Sequence, residues 1–369
     1  MYLFETLPNY MIFVYRSLGI IQFCPKNSHK IVKISPTVLY VCLQLYFLYT
    51  SVKFSSDYMT LGFTGLFHYL DLLSTVGTVL SMLTSLVMFR KRSKRLKTLL
   101  EQTDKIEIFQ TNEKSRLSCI QILLFAGIVG LILLVPFSNS MIDLSFFYFI
   151  PLFINIFDHM FLCDILNFIS SKFGSINHHL RHQIKTEDED IKTNIRRVQE
   201  LSFSHYNLVD LTKKITRLFE ITTLAAMGMW FGYMVDGSYY TLHVLVHGSP
   251  SFWTDVGFNC MFGVLHFFWL CFVIDGFART QNTANLAAIY LHDIWNKYLE
   301  RGKLDRNVRY LQLISIRFYN TKVRFTAMDF FSLDWTFGHL VKINKIFTFL
   351  GFLLDDCCSC HLCGNLNRN

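Results

Sequence analysis

Six stretches of about 20 mainly apolar residues punctuate the chain: Ile34 to Val52, Leu70 to Phe89, Cys119 to Phe137, Leu144 to Cys163, Ile221 to Val244 and Val256 to Phe277. Each is long enough to cross a hydrocarbon core of ~30 Å as a helix, the form in which a single segment satisfies its own backbone polar groups there. A seventh stretch, Phe325 to Leu354, is weaker. Its unbroken apolar run after Lys345 extends only from Ile346 to Leu354, so a seventh crossing must include Lys342 and Lys345. Between the spans the pattern changes. From Asp190 to Glu220 the residues Ile191, Ile195, Val198, Leu201, Leu208, Leu211, Ile215 and Leu218 recur at intervals of three, four or seven, which predicts an amphipathic helix. Lys213, Lys214 and Arg217 fall on its other faces. Leu286 to Phe325 mixes apolar residues with Arg301, Lys303, Arg306 and Arg309 in the same manner. These segments read either as helices resting on the membrane surface or as an intracellular bundle that continues the spans, and the second reading is preferred.

Charge placement orients the spans. The N-terminal segment holds Arg16, Lys26, Lys30 and Lys33, and the segments after the second, fourth and sixth spans hold nine basic residues each. The segments after the first, third and fifth hold Lys53 alone, and the C-terminal tail holds only Arg368. The basic side faces the cytoplasm. The N-terminus is therefore inside and the C-terminus outside if the seventh stretch crosses, the inverse of G-protein-coupled receptors. The expected fold is all-α: one polytopic membrane domain over residues 1–369 with seven transmembrane helices, N-terminus inside, C-terminus outside, its helices extended into a cytoplasmic bundle. Spans one to six occupy 34–277, and 278–354 holds a cytoplasmic helix and the last span.

Composition agrees with this class: of 369 residues 52% are hydrophobic and 16% aromatic, too apolar for an ordinary soluble domain. The net charge of +8 falls mostly between apolar stretches, so it is topological and does not indicate nucleic acid. Six of the ten cysteines are scattered in or beside the apolar stretches as small core residues. The first apolar run, Tyr10 to Phe23, is interrupted by Arg16 and lacks a small-residue cleavage site, which argues against a secretory signal. The acid run Glu187 to Asp190 reads as a solvated turn.

Candidate enzyme chemistry is sparse. His178, His179 and His182 together with His243 and His247 resemble spaced metal-binding histidines, but the topology separates the two groups across the bilayer. Cys357, Cys358, Cys360, His361 and Cys363 crowd into seven residues, too close for the separated pairs of a structural zinc site. The chain has no P-loop, no dinucleotide fingerprint and no G-x-S-x-G, so phosphate and acyl chemistry lack support. No enzyme activity, cofactor or metal is expected.

The last stretch resembles a known family. Phe325, Thr326, Ala327, Phe330, Phe331, Leu333 and Asp334 match the F-T-A-x-x-F-F-x-L-D segment with which the last span opens in the insect gustatory receptor family of seven-span chemoreceptors. The usual ending, T-Y followed by five apolar residues and Q-F, is half kept: Thr348 and Phe349 are in place, and Asp355 with Asp356 replaces the Gln-Phe pair. The resemblance implies a ligand-gated, non-selective cation channel of the plasma membrane, homo- or hetero-tetrameric, opened by a small organic tastant. It also implies that the intracellular helices join subunits and that the last span lines the pore. Lys342, Lys345, Thr348, Phe349 and Phe352 are the pore and gate candidates. A basic pair on the pore face would repel cations, so the lysines turn aside, sit in the cytoplasmic mouth, or mark a subunit that conducts only with a co-receptor. The rival reading is a seven-helix receptor coupled to a cytoplasmic signalling partner.

Aromatic residues of spans four to six, Phe147, Tyr148, Trp230, Tyr233 and Phe262, with His266, could line an apolar ligand pocket or form an interfacial belt. Gly228 and Gly232 form a G-x-x-x-G pair expected to let the fifth span pack closely on another helix.

Overall fold

The computed structural model describes residues 3, 7, 9–18, 20–21, 49, 66–106, 142–185, 191–247, 252–300, 302, 306–320, 322–326, 328 and 332–333. The first predicted span apart from Tyr49, the third predicted span, the seventh stretch from Asp334 onward, Glu187 to Asp190 and the cysteine-rich tail lie outside them. The described helices are α1 (Asn9–Ser17), α2 (Leu66–Lys105), α3 (Ile142–Lys185), α4 (Ile191–Arg217), α5 (Glu220–His247), α6 (Phe252–Glu300) and α7 (Arg306–Asn320). No strand occurs among the described residues, and Thr326 and Ser332 form one isolated antiparallel bridge.

The second, fourth, fifth and sixth predicted spans fall inside α2, α3, α5 and α6. At 1.5 Å per residue, the 44 residues of α3 and the 49 of α6 are about 66 and 74 Å long, more than twice the hydrocarbon thickness. Either is longer than one crossing requires. Within them Phe153–Ile184 and Gly263–Glu300 are each long and apolar enough to cross by themselves. The most apolar window of the first is 83% buried inside the chain and that of the second 61%, which makes α3 the central helix. Every residue from Ile154 to Leu166 is buried. Such a helix has no polar face to spare, so its polar residues must find partners inside the protein.

Helix α1 docks on this core: the Tyr15 hydroxyl donates to Asp164 Oδ2 at 2.7 Å, and its ring lies 5.0 Å from that of Phe161. The apolar run Tyr10 to Phe23 thus contributes a helix packed at the basic-side end of the fourth span. The closest helix approach seen at a glycine is at Gly276 of α6, where an added Cβ would meet Cys163 Sγ of α3 at 3.0 Å. Gly228 behaves otherwise. It is exposed, with nothing within 4 Å of a Cβ built there, so among the described residues no helix packs closely on α5 at this glycine.

Beyond the spans, α3, α4, α6 and α7 form the predicted bundle. Ile195, Val198, Leu208, Leu211 and Ile215 of α4 are buried, Leu201 and Leu218 half-buried, and Lys213, Lys214 and Arg217 exposed. The stripe is covered by this chain's own helices α3, α6 and α7. His205 is its keystone: Nε2–H donates to the Ala284 carbonyl of α6 at 2.9 Å, and the ring packs on Phe173 of α3 and Phe318 of α7. The segment 322–326 then lies extended along α6. Asn285 donates to the Val323 carbonyl at 3.1 Å and accepts from Val323 N–H at 2.8 Å, and the Phe325 ring meets that of Phe277 at 5.5 Å.

Burial holds His205 down to about 4, against ~6.5 for an exposed imidazole, despite its bond to Ala284. The sign follows from linkage. The folded state keeps the ring neutral, so its contribution is present above pH ~6.5 and is lost as the pH falls through about 4, where protonation of the unfolded chain has already been favoured. The gap corresponds to about 3 kcal/mol. Melting of detergent-solubilised protein between pH 7 and pH 4 should therefore show a steeper acid loss in the wild type than in His205→Phe, which keeps the ring contacts without the titration. Equal slopes would place His205 in solvent.

Candidate functional site

Three contacts close a triangle inside the spans. Between α3 and α5, Asn155 Nδ2 donates to Met229 Sδ at 3.4 Å. Between α3 and α6, the rings of His159 and Trp269 stand edge to face with centroids 5.2 Å apart. Between α5 and α6, the rings of Tyr233 and His266 lie 5.2 Å apart. The spacing makes this possible, because Asn155 and His159 are four residues apart on α3, and Trp230 with Tyr233 and His266 with Trp269 are each three apart, so each pair shares one helix face. Trp230 joins Met229 and Tyr233 in the buried part of α5.

The predicted pocket residues Trp230, Tyr233 and His266 are thus all buried in this part of the fold, with Tyr233 and His266 in ring contact. Phe147 and Tyr148 lie on α3 and Phe262 on α6, with side chains outside the described residues. Asn155, His159, Met229 and Trp269 were not anticipated. The signal for two of them was present: polar side chains in the middle of an apolar run are functional suspects by default, and Asn155, Asp158 and His159 all lie within the fourth span.

The polar groups of the cluster have defined roles. His159 Nδ1 is 2.7 Å from the Asn155 carbonyl, which can only accept, so Nδ1 carries the proton and Nε2 of the neutral ring is an acceptor. Neither that Nε2 nor the donor Nε1 of Trp269 has a hydrogen-bond partner among the described residues. Leaving such a group unmet in an apolar setting costs about 1–3 kcal/mol. The cluster thus carries one acceptor and one donor left unmet among the described residues. It holds no activated nucleophile.

One residue along α3 from His159, Asp158 pairs with Arg92 of α2. Both are buried. The Arg92 guanidinium lies 3.8 Å from the centroid of the Phe219 ring and 5.1 Å from that of Phe89. Phe219 stands at the joint between α4 and α5, which turn by 52°. That joint has no proline or glycine. It is closed by short-range bonds from Leu218 N–H to the Ile215 carbonyl and from Phe219 N–H to the Thr216 carbonyl. The ion pair thus links the cluster's central helix to the point where the bundle meets the fifth span.

Of the motif read at the start of the last span, Phe325 and Leu333 are buried and Thr326 is half-buried. The Leu333 N–H donates to the Phe325 carbonyl at 2.9 Å, and Met328 has a φ of 50°. This opening is a tight reversal anchored on α6, so the last span does not begin as a helix at Phe325. Ala327, Phe330, Phe331 and Asp334, and the pore candidates Lys342, Lys345, Thr348, Phe349 and Phe352, lie outside the described residues. His178 and His182 are exposed on α3. The side chains of His243 and His247 are outside the described residues.

Long helices, two of them apolar enough to cross a membrane by themselves, packed around a buried aromatic and imidazole cluster, define a helical protein of the membrane-spanning class. The chain belongs to the 7tm Chemosensory receptor family, whose model matches residues 9–353, in agreement with the resemblance carried by the Phe325 motif. This is a family of membrane receptors. Among curated proteins no sequence matches. Among solved structures the chain is similar to the insect olfactory receptor OR5 from Machilis hrabei, with a TM-score of 0.67 and 12% identity over 93% of this chain and 97% of that one. It is also similar to the same receptor in complex with eugenol, with a TM-score of 0.62 and 14% identity over 94% and 97%. At these identities the likeness establishes the fold.

Proposed function

We propose that the chain is a gustatory receptor subunit of the plasma membrane, a ligand-gated and non-selective cation channel opened by a small organic tastant, working as a homo- or hetero-tetramer. The observation that carries this reading is the buried cluster of Asn155, His159, Met229, Tyr233, His266 and Trp269, mostly apolar with few oriented polar groups, as small-molecule sites are. Family membership and the eugenol complex of a structural neighbour support it. The guest would shift the closed and open populations by binding the open one better.

The polar pair narrows the tastant to molecules carrying a hydroxyl group, for which His159 Nε2 accepts and Trp269 Nε1–H donates. Matched phenols and their methyl ethers, applied to cells expressing the chain, should differ about tenfold in half-maximal concentration, the worth of roughly one well-placed hydrogen bond. His159→Phe should erase that difference while leaving responses to apolar ligands. Ligand-evoked current that persists in excised patches distinguishes a channel from a receptor that needs a cytoplasmic partner.

Lys342 and Lys345 stand three residues apart in the last stretch, which the resemblance makes the pore-lining span. In a low-dielectric constriction each raises the barrier to a cation. The chain alone should then conduct weakly, and a co-receptor or the combined replacements Lys342→Ile, Lys345→Ile, Asp355→Gln and Asp356→Phe should restore current. Equal currents from the wild type and this variant would show that the lysines do not face the conduction path.

A further inference from the structure

The run Arg90 to Lys97, R-K-R-S-K-R-L-K, has six basic residues in eight and follows the second predicted span without a break in α2. Its side chains divide by face. Arg92 turns inward to Asp158, and Ser93 and Leu96 are buried with it. Lys91, Lys94 and Arg95 point outward and are exposed, and no acidic side chain among the described residues pairs with them. Lys97 is answered by Glu101 at 3.9 Å. Several other cations are likewise satisfied within the chain: Lys214 by Asp210, Arg279 by Asp275, and Lys172 by the Thr103 carbonyl.

Depth makes the three outward cations distinctive. At 1.5 Å per residue they lie about 3 to 9 Å beyond Phe89, the last residue of the span, which is the level of lipid phosphates. Arg92 also fixes a neighbour at that level, since its contact with Phe219 brings up the joint that follows Lys213 and Arg217, both exposed. The acidic residues near that joint are Asp210, already paired, and half-buried Glu220.

We infer that Lys91, Lys94 and Arg95 form a binding face for an inner-leaflet phospholipid whose headgroup carries several phosphates, a phosphatidylinositol bisphosphate. Positions three and four apart on one helix face set these cations about 5–6 Å apart at Cβ, so one multiply phosphorylated ring can meet two or three of them at once. A singly charged headgroup meets one. Lysine supplies a mobile point charge and arginine a planar fork, and both suit phosphate oxygens. The inference is independent of which tastant opens the receptor, and it uses the orientation read from the basic segments.

The full-length protein, reconstituted into phosphatidylcholine nanodiscs containing either phosphatidylinositol bisphosphate or phosphatidylserine at matched total charge, tests this by native mass spectrometry of retained lipid. The wild type should retain the bisphosphate over both other lipids. The triple variant Lys91→Gln, Lys94→Gln, Arg95→Gln should lose affinity for it on the order of 100-fold, at about fivefold per cation. A charge-matched variant far from the headgroup level, Lys105→Gln, Arg181→Gln, Arg309→Gln, should retain it. Lys94→Gln alone, at an exposed position, should weaken retention about fivefold and covers the case in which the triple variant does not fold. Unchanged retention in the triple and single variants, or equal retention of phosphatidylserine, overturns the assignment by showing diffuse surface attraction only.

Discussion

Leu208→Asp combined with Leu211→Asp should yield no folded chain, rather than a folded subunit that has lost its partners. Both leucines are buried in the stripe of α4, and the stripe packs on α3, α6 and α7 of the same chain around His205. Losing a buried leucine side chain costs about 2–5 kcal/mol before any charge is considered. Each carboxylate then adds a desolvation cost, because the stripe that it enters is buried. The sum reaches the whole stability of ~5–15 kcal/mol typical of a folded domain. Fluorescence-detected size exclusion after detergent extraction should show aggregate or no peak, with no monomer peak. A monodisperse monomer at wild-type yield would return the stripe to a subunit junction.

Asp158→Ala should lower stability by about 3–5 kcal/mol, because it leaves the Arg92 guanidinium buried without its counter-charge. The rings of Phe219 and Phe89 give that cation some compensation, but ring contacts of this kind contribute only about 0.5–2 kcal/mol each. Replacing both partners tells a different story. Arg92→Met with Asp158→Leu removes two desolvated charges together and keeps an apolar side chain against Phe219, so it should recover most of the loss and could exceed wild-type stability. Thermal melting of wild type, both single variants and the double variant forms the cycle that isolates the pair. An Asp158→Ala protein that melts with the wild type would mean that water reaches the pair.

These two experiments separate what can be read from order along the chain from what cannot. The predicted spans that fall on described residues, Leu70 to Phe89, Leu144 to Cys163, Ile221 to Val244 and Val256 to Phe277, lie inside helices because a backbone in hydrocarbon must satisfy its own hydrogen bonds, and that requirement is local. The α4 stripe was legible for a similar reason. A 3.6-residue period of apolar side chains specifies a helix and its buried face without reference to what covers it. Family membership was legible from the motif at Phe325, since it is a matter of residue identity.

What covers each face was decided by the tertiary structure. The stripe of α4 could have met a membrane, a second subunit or its own chain, and all three offer an apolar surface. Only the positions of α3, α6 and α7 select the last. The buried cluster was half visible, in that Trp230, Tyr233 and His266 announce themselves as aromatic or polar residues in apolar runs. Asn155, His159, Met229 and Trp269 join them because three helices cross there, and contacts over separations of 74 to 110 residues have no periodic trace in the sequence. The motif itself changed meaning: a pattern read as the opening of a helix is a reversal pinned by Phe325 on Phe277. The basic run after Phe89 shows the division in one element. From the sequence alone Arg90 to Lys97 reads as the expected end of the second span, because hydropathy and charge change abruptly there. Only the packing of α2 against α3 and α5 decided that Arg92 is neutralised inside by Asp158 while Lys91, Lys94 and Arg95 keep their charge outward, since which side of a helix is inside is set by the neighbours it meets.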